Sequence, residues 1–533
     1  MRYWQLLITL ICLSALMPRC AQDQSATAPA QSLSGYKEAA FGISERKQQL
    51  KDAAGIIDTI YRTYAAANHY PAMAYGLVMD GELIVSGAVG YTDVSRRIAA
   101  STKSMFRIAS MTKSFTAMAI VKLRDEGQLN LDDLASKYIP ELRDVQYPTN
   151  DAPAITIRNL LTMTAGFPED NPWGDRQLAD KPEELHQFIQ QGISFSNVPS
   201  KEFEYSNMGY AMLGEIVTVV SGKPFQRYIT EKLLQPLGMN DTRWEYSEVD
   251  PGMLALGYSW DDAQWKTEPL LHDGIYGAMG GLITTIEDFS KYVNFHLQAW
   301  PSRNGPATGP LQRSSLREMH KPWQFRGLYA DERRSDGTSC PATGGYGYGL
   351  GWRRNCDGIE RVSHSGGLPG FGSEFRFYPD YGFGIISFAN LTYASAGSAN
   401  SQVMDTLMHR YHFAPRSLPA SDTLRARRDQ VMTLLKDWSQ AQSNDGLQKR
   451  ILAENFYLDA SQEQRMGEAK ALVAGIGTVV QVGEMTPENQ LRGKFRITGD
   501  KGIVEVFFTL TPERVPRIQQ LDWELISTGP AAK

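Results

Sequence analysis

Cysteine is scarce in this chain and histidine little more common: four and eight residues among 533. None of them share the close spacing of a structural zinc site, so a zinc-built domain is excluded and no cofactor is expected. Excess positive charge is also missing. Fifty-four Lys and Arg stand against 59 Asp and Glu, a formal charge of −5, so there is no electrostatic ground for nucleic acid as a partner. Beyond residue 21 no apolar run approaches the length of a membrane span. A G-x-S-x-G elbow in a strand–turn–helix setting is absent. The glycine-rich tract GGYGYGLG lacks the G-x-G-x-x-G frame opening a helix, which argues against a nucleotide site. No internal repeat is visible.

At the start, Arg2 precedes WQLLITLICLSALM, an apolar stretch of fourteen residues, and polar AQDQSATAPAQS follows. This reads as a secretory signal peptide over 1–21 and a linker over 22–40, and it predicts a periplasmic or secreted protein. Cys20 leaves lipidation open as the lesser alternative, because the Met-Pro-Arg before it departs from the small residues that such cleavage wants. Cys340 and Cys356 remain in the mature chain and bracket GGYGYGLGW. In an oxidising compartment they are expected to pair; the alternative is two free thiols.

Periodicity gives a helix over 45–67, then two strand-like runs joined at Asp80-Gly81, a strong hairpin signal. An apolar helix follows, FTAMAIVKL, stopped near Gly127. The text is mostly helical from 128 to 300. Strands return over 345–390 with a turn at Pro379-Asp380-Tyr381-Gly382, and the helix SQVMDTLMHRYHF closes the unit. Consecutive hairpins between helical segments predict an α/β (α+β) architecture, an antiparallel sheet flanked by helices over 41–413. A linker is expected over 414–423. A small α+β domain over 424–533 should follow, with helices at 424–455 and 461–474, a hairpin in KFRITGD-KGIVEVFFTLT and a last strand in RIQQLDWELI.

One constellation carries chemistry. Ser110 and Lys113 share a face at i, i+3 where the buried helix opens. A desolvated amine loses basicity and can activate a neighbouring hydroxyl, while helix N-terminal amides lie where an oxyanion would form. A lone Ser-x-x-Lys is weak evidence, since Ser44 and Lys47 repeat it in a charged, solvated context. Two further motifs appear in a useful order. Tyr205-Ser206-Asn207 precedes a helix, and His364-Ser365-Gly366-Gly367 lies on a strand. Each has a decoy, Tyr292-Val293-Asn294 inside a helical run and His272-Asp273-Gly274 in a loop.

Together, Ser110-x-x-Lys113, Tyr205-x-Asn207 and His364-x-Gly366 resemble the three signatures of the serine β-lactamase and penicillin-binding protein superfamily. The Tyr-x-Asn form resembles its class C β-lactamase, DD-peptidase and esterase branch. FRIASMTKSFTAMAIVKLRDEGQLNLDD, LLTMTAGF, YSNMGYAMLGEIV, LLQPLGMNDT and GAMGGLITTIEDFSKY are similar to that family as well. The resemblance covers about 45–413. It implies an antiparallel sheet with an all-helical subdomain and the site at their junction.

The resemblance further implies that Ser110 is the nucleophile, that Lys113 helps deprotonate it, and that Tyr205 passes the proton to the leaving group. Asn207 would hold a polar group of the substrate. His364 and Gly366 would line the strand edge where substrate lies, with the N–H groups of Ser110 and Gly367 as oxyanion hole. Many β-lactamases carry Lys-Thr-Gly where this chain has His-Ser-Gly. A histidine there carries little fixed charge at neutral pH, so an esterase or DD-peptidase acting on a small-molecule or peptide substrate is expected ahead of true β-lactam hydrolysis. The alternative is a non-catalytic peptidoglycan- or β-lactam-binding sensor. The C-terminal strands resemble nuclear-transport-factor-like or cystatin-like accessory domains. Oligomeric state stays open.

Overall fold

The computed structural model describes residues 36–528. The expected signal peptide, Cys12, Cys20 and the linker up to residue 35 lie outside the described residues.

Nine strands form the central sheet: β1 (Ala72–Met79), β2 (Glu82–Asp93), β3 (Ile98–Ala99), β4 (Gln324–Tyr329), β5 (Ala342–Tyr346), β6 (Gly351–Asn355), β7 (Glu360–Leu368), β8 (Phe371–Tyr378) and β9 (Phe383–Ala389). Their order is β3-β2-β1-β9-β8-β7-β6-β5-β4, antiparallel throughout. Asp80 and Gly81 join β1 to β2 at φ 50° and 87°, the left-handed pair that a two-residue hairpin needs. Strand β4 escapes the sequence pattern. It is an edge strand with Phe325 and Leu328 exposed and a register shift between Phe325 and Gly327, so its residues do not alternate.

Helices α1 (Arg46–Asp52) and α2 (Ala54–Ala67) pack on the sheet, as do α5 (Ile286–Leu297) and α6 (Ala396–Tyr411), while α3 (Lys113–Asp125) and α4 (Asn207–Ser221) pack on each other, with Phe115 of α3 stacked on Tyr292 of α5. The expected helix over 45–67 is thus two, divided at Ala53. All of β1 is buried, and its period of two sorts the side chains. Ala72, Ala74 and Val78 join the core with Phe289 and Tyr292 of α5, while Met73, Tyr75, Leu77 and Met79 join a second core with Ile57 and Tyr61 of α2 and Val403 of α6. This agrees with the helix-flanked antiparallel sheet expected from the hairpins. The region 128–300 is less helical than its text suggests, since Tyr258–Asp261 and Gln264–Thr267 form a hairpin.

Beyond α6 come α7 (Asp422–Ser439), α8 (Asp445–Ile451) and α9 (Gln462–Ile476), then a second sheet of β10 (Val479–Val482), β11 (Thr486–Asn489), β12 (Arg492–Gly499), β13 (Gly502–Leu510) and β14 (Ile518–Thr528). Alternate residues of β13, among them Val504, Val506 and Phe508, face Leu435 and Trp438 of α7 in a core of their own. Segments with linker composition are held at defined points. Ala40 pairs with Ser417, the Lys37 amide donates to Gln490 Oε1, and the Ser421 hydroxyl caps α7.

Cys340 and Cys356 are joined, with Cα atoms 5.2 Å apart across the β5–β6 hairpin. In the chain-entropy account a loop of this length contributes about 3 kcal/mol. Cys340→Ser should therefore lower the unfolding free energy by about that amount, read from urea denaturation of oxidised protein. Equal stability of the variant and the parent would show that the bridge is absent from the mature protein.

Candidate active site

Ser110 does not begin the long helix. It sits in a single 3-10 turn, Ala109–Thr112, and Lys113 opens α3 behind it. Ala109 holds φ at 50°, a left-handed conformation that a residue with a Cβ adopts at a cost of roughly 1 kcal/mol or more. Surrounding contacts enforce it. Ser373 of β8 donates its hydroxyl to the Ile108 carbonyl at 2.7 Å, and the buried Arg107 guanidinium donates to the carbonyls of Gly281 and Leu271. Gly366 of β7 lies so close that a Cβ there would come within 2.2 Å of the Ile108 oxygen. That is the reason for glycine at this position, and it brings β7 against the Ser110 turn.

The Lys113 side chain is fully buried. Its Nζ lies 2.9 Å from Ser110 Oγ, 2.7 Å from Asn207 Oδ1 and 3.1 Å from the Met279 carbonyl. Burial pushes the amine down to about 7, against the pull of Asp175 and Asp170 toward the charged form. An ammonium donates to all three acceptors. A neutral amine has two hydrogens, enough for Asn207 and Met279, and its lone pair then faces the Ser110 hydroxyl. The geometry suits a base for the serine.

Tyr205 lies over the same amine, its ring centre 4.9 Å from Nζ, and lines the cleft beside Ser110. Burial raises the phenol well above its ordinary value, so it remains protonated at neutral pH and can relay a proton. Asp170 accepts from the amides of Asn207 and Met208 at the start of α4, where a carboxylate is favoured. Asp175 accepts from Tyr393 Oη at 2.9 Å and from Asn207 Nδ2 at 3.4 Å, and burial raises its carboxyl to about 6. Sequence reasoning missed both aspartates and Tyr393. They lie in loops without a motif, and only the fold brings them under Lys113.

Two expectations need correction. Asn207 does not face a substrate, being wholly buried. Its oxygen accepts from Lys113 and its amide donates toward Asn171 and Asp175, so it orients the base. His364 is also buried. Its Nδ1 bonds the Ser365 carbonyl at 2.6 Å and its Nε2 faces Tyr346 Oη at 3.0 Å, which leaves no ring nitrogen free for substrate. Burial, then the Lys113 charge, pushes the imidazole down to about 3, so it is neutral. Positive charge enters the cleft from elsewhere. Arg326 of β4, stacked 4.3 Å over Phe203, and Arg176 both line a cavity of about 810 Å³ with Ser110, Tyr205 and Gly367. The decoys lie apart: Ser44 is exposed, Tyr292 and Asn294 are inside α5, and His272 lies in a loop beside Glu245.

The β6–β7 ladder ends at the Gly351–Ser363 pair, so residues 364–368 pair only with β8 among the described residues. Gly367 on this free edge lines the same cleft as Ser110.

The sequence profile of the Beta-lactamase family matches residues 57–407. The chain belongs to that family. Protein flp of Staphylococcus aureus (strain COL) is 30% identical over 340 residues, 63% of this chain and 62% of that protein, so the chain spans under two thirds of the length of these curated relatives. Beta-lactamase-like protein 2 of Dictyostelium discoideum is 29% identical over 49% of this chain and 48% of its own length. Among solved structures, the octameric penicillin-binding protein homologue from Pyrococcus abyssi superposes with a TM-score of 0.55 at 21% identity, covering 89% of this chain and 96% of that one. The penicillin-binding protein from Bacillus halodurans gives a TM-score of 0.52 at 23% identity, over 66% of this chain and 98% of that one. Both share this fold, a mixed sheet-and-helix architecture.

Because the base must lose its proton, kcat/KM on a neutral ester should rise with pH along a limb centred near pH 7, the value set for Lys113. Asp175 favours the ammonium, so Asp175→Asn should move that limb to lower pH as well as slow turnover. A limb that stays in place in the variant would remove Asp175 from the electrostatics of the base.

Proposed function

We propose that the protein is an exported serine hydrolase that acts through a covalent acyl-enzyme on ester, amide or D-amino-acid peptide bonds, with β-lactams as poorer substrates. The observation that carries this reading is the buried Lys113 amine 2.9 Å from Ser110 Oγ. Export is inferred from the apolar N-terminal stretch behind Arg2 and agrees with a Cys340–Cys356 bond, which persists in oxidising compartments.

In the proposed cycle, neutral Lys113 takes the Ser110 proton as Oγ attacks the carbonyl carbon. The N–H groups of Ser110 and Gly367 receive the negative charge that develops on oxygen. As the tetrahedral intermediate collapses, Tyr205 Oη passes a proton to the leaving oxygen or nitrogen and regains one from Lys113. A water then attacks the acyl-enzyme by the reverse relay and releases the acid. Asn207 keeps Lys113 aimed throughout, with Asp175 and Asp170 setting how readily it protonates.

Fluorophosphonate labelling followed by intact-mass and peptide analysis tests the reading. One adduct is expected, on the peptide containing Ser110. Ser110→Ala should abolish it and lower ester turnover by about 10³-fold or more while leaving the circular dichroism unchanged. An adduct on Ser206 or Ser44 would overturn the assignment, and a folded wild type that neither labels nor turns over esters would favour a binding protein.

A further inference from the structure

Across Gly351, Ser363, Ser365, Gly367 and Tyr393 the catalytic cleft opens into a second cavity, of about 1040 Å³, bounded by β4, the sheet and the start of α6. Its walls hold four arginines, Arg326, Arg353, Arg361 and Arg376. Arg353 of β6 and Arg361 of β7 are direct cross-strand partners, an arrangement that sets like charges side by side and destabilises a sheet. A single carboxylate serves both: Glu332 lies 2.6 Å from Arg353 and 3.8 Å from Arg361. Arg361 Nε is buried without a hydrogen-bond partner. Arg376 is fully engaged, by Glu374, Ser401 Oγ and the Gly397 carbonyl. Arg326 makes no ion pair among the described residues.

Asp331 lies at the exposed rim, so the inner wall carries more guanidinium charge than its carboxylates neutralise. Ser395–Gly397, where the 16-residue α6 begins, adds the positive end of a helix dipole to the same wall. Arg326 is exposed and makes no ion pair among the described residues, while the half-buried Arg353 and Arg361 share the single carboxylate of Glu332, an excess of positive charge that an anion from outside would relieve.

We propose that this cavity is an anion subsite, which takes a carboxylate carried by the acyl donor at a distance from the bond to be cleaved. Its walls are contiguous with the catalytic cleft, so one extended substrate spans both. The positive charge that His364 does not provide at the strand edge is thereby supplied by Arg326 at the mouth and Arg361 within. The preferred substrates are acidic esters or peptides rather than neutral ones. This rests on the hydrolase reading above for its kinetic test, and stands on binding alone without it.

Two p-nitrophenyl esters of equal acyl length, the hexanoate and the mono-adipate, differ only in a terminal carboxylate. Wild type should favour the mono-adipate in kcat/KM by tenfold or more at low ionic strength, and the preference should shrink as salt is added. Arg361→Gln and Arg326→Gln should each lower the mono-adipate to hexanoate ratio about tenfold. Arg326 lies on an exposed edge strand, so its variant decides if Arg361→Gln does not fold. A ratio of one or below in wild type, or a ratio unchanged in the folded variants, would overturn the proposal. Calorimetric titration of Ser110→Ala with adipate separates the two readings. Adipate binding that weakens tenfold with added Arg326→Gln supports the subsite even in a protein that hydrolyses nothing, whereas ester hydrolysis without adipate binding refutes the subsite and leaves the hydrolase.

Discussion

The burial of one amine organises this molecule. Lys113 lies wholly inside the protein, and lowering its pKa from the ordinary 10.5 to about 7 corresponds to a penalty on the charged form on the order of 5 kcal/mol. Two half-paired carboxylates, Asp170 and Asp175, keep that penalty from growing. Both pull the amine toward its charged form, against the larger effect of desolvation. Between pH 7 and 10.5 the unfolded chain binds a proton that the native site refuses, so this residue works against folding at neutral pH and less so as pH rises. The apolar cores on either side of the sheet offset it.

Everything near Ser110 follows from the need to hold a hydroxyl against that amine. The turn that presents the serine contains a left-handed alanine, and such a conformation persists only where the neighbours over-determine it. Here they are Arg107, anchored to two carbonyls, Ser373 on the Ile108 carbonyl, and β7 pressed close through Gly366. On the other side, Tyr393 also adopts a left-handed φ of 52° while its phenol steadies Asp175. Strain and buried charge therefore concentrate around Ser110 and Lys113.

Much of this could be read from residue order. The Asp80-Gly81 hairpin, the buried α3 and the paired strands after residue 342 are local signals, each written in a few contiguous residues. The three motifs were separable from their decoys by context, because Ser44 stands in charged text and Tyr292 inside a helical period. What escaped was either irregular or non-local. Strand β4 has no alternation because its outer side meets solvent, and the break at Ala53 leaves no mark in a smooth helical pattern. Asp170, Asp175 and Tyr393 carry no spacing rule at all, since they reach Lys113 from loops more than fifty residues away in sequence. The roles of Asn207 and His364 shifted for a related reason. A motif identifies which residues gather at a site, but burial and hydrogen-bond saturation decide which of them still have an atom to offer a ligand.

Strand β7 shows how one element divides recognition from chemistry. Its residues alternate in burial, so His364 and Gly366 turn toward Tyr346 and the Ser110 turn while still bordering the cavities, and Arg361, Ser363, Ser365 and Gly367 are the more exposed set on the cavity walls. A slip of one residue in the β6–β7 register would exchange the two sets, forcing a serine side chain into the space Gly366 leaves for Ile108 and carrying Arg361 into the core. The Gly351–Ser363 pair, where the ladder ends, therefore fixes three things together: the free edge beside Ser110, the approach of β7 to the Ser110 turn, and the juxtaposition of Arg353 with Arg361. The charge of the cleft is for this reason a property of the sheet's register more than of the residue at position 364. A neutral imidazole in the motif and a wall with a modest excess of arginine beside it are compatible consequences of the same pairing.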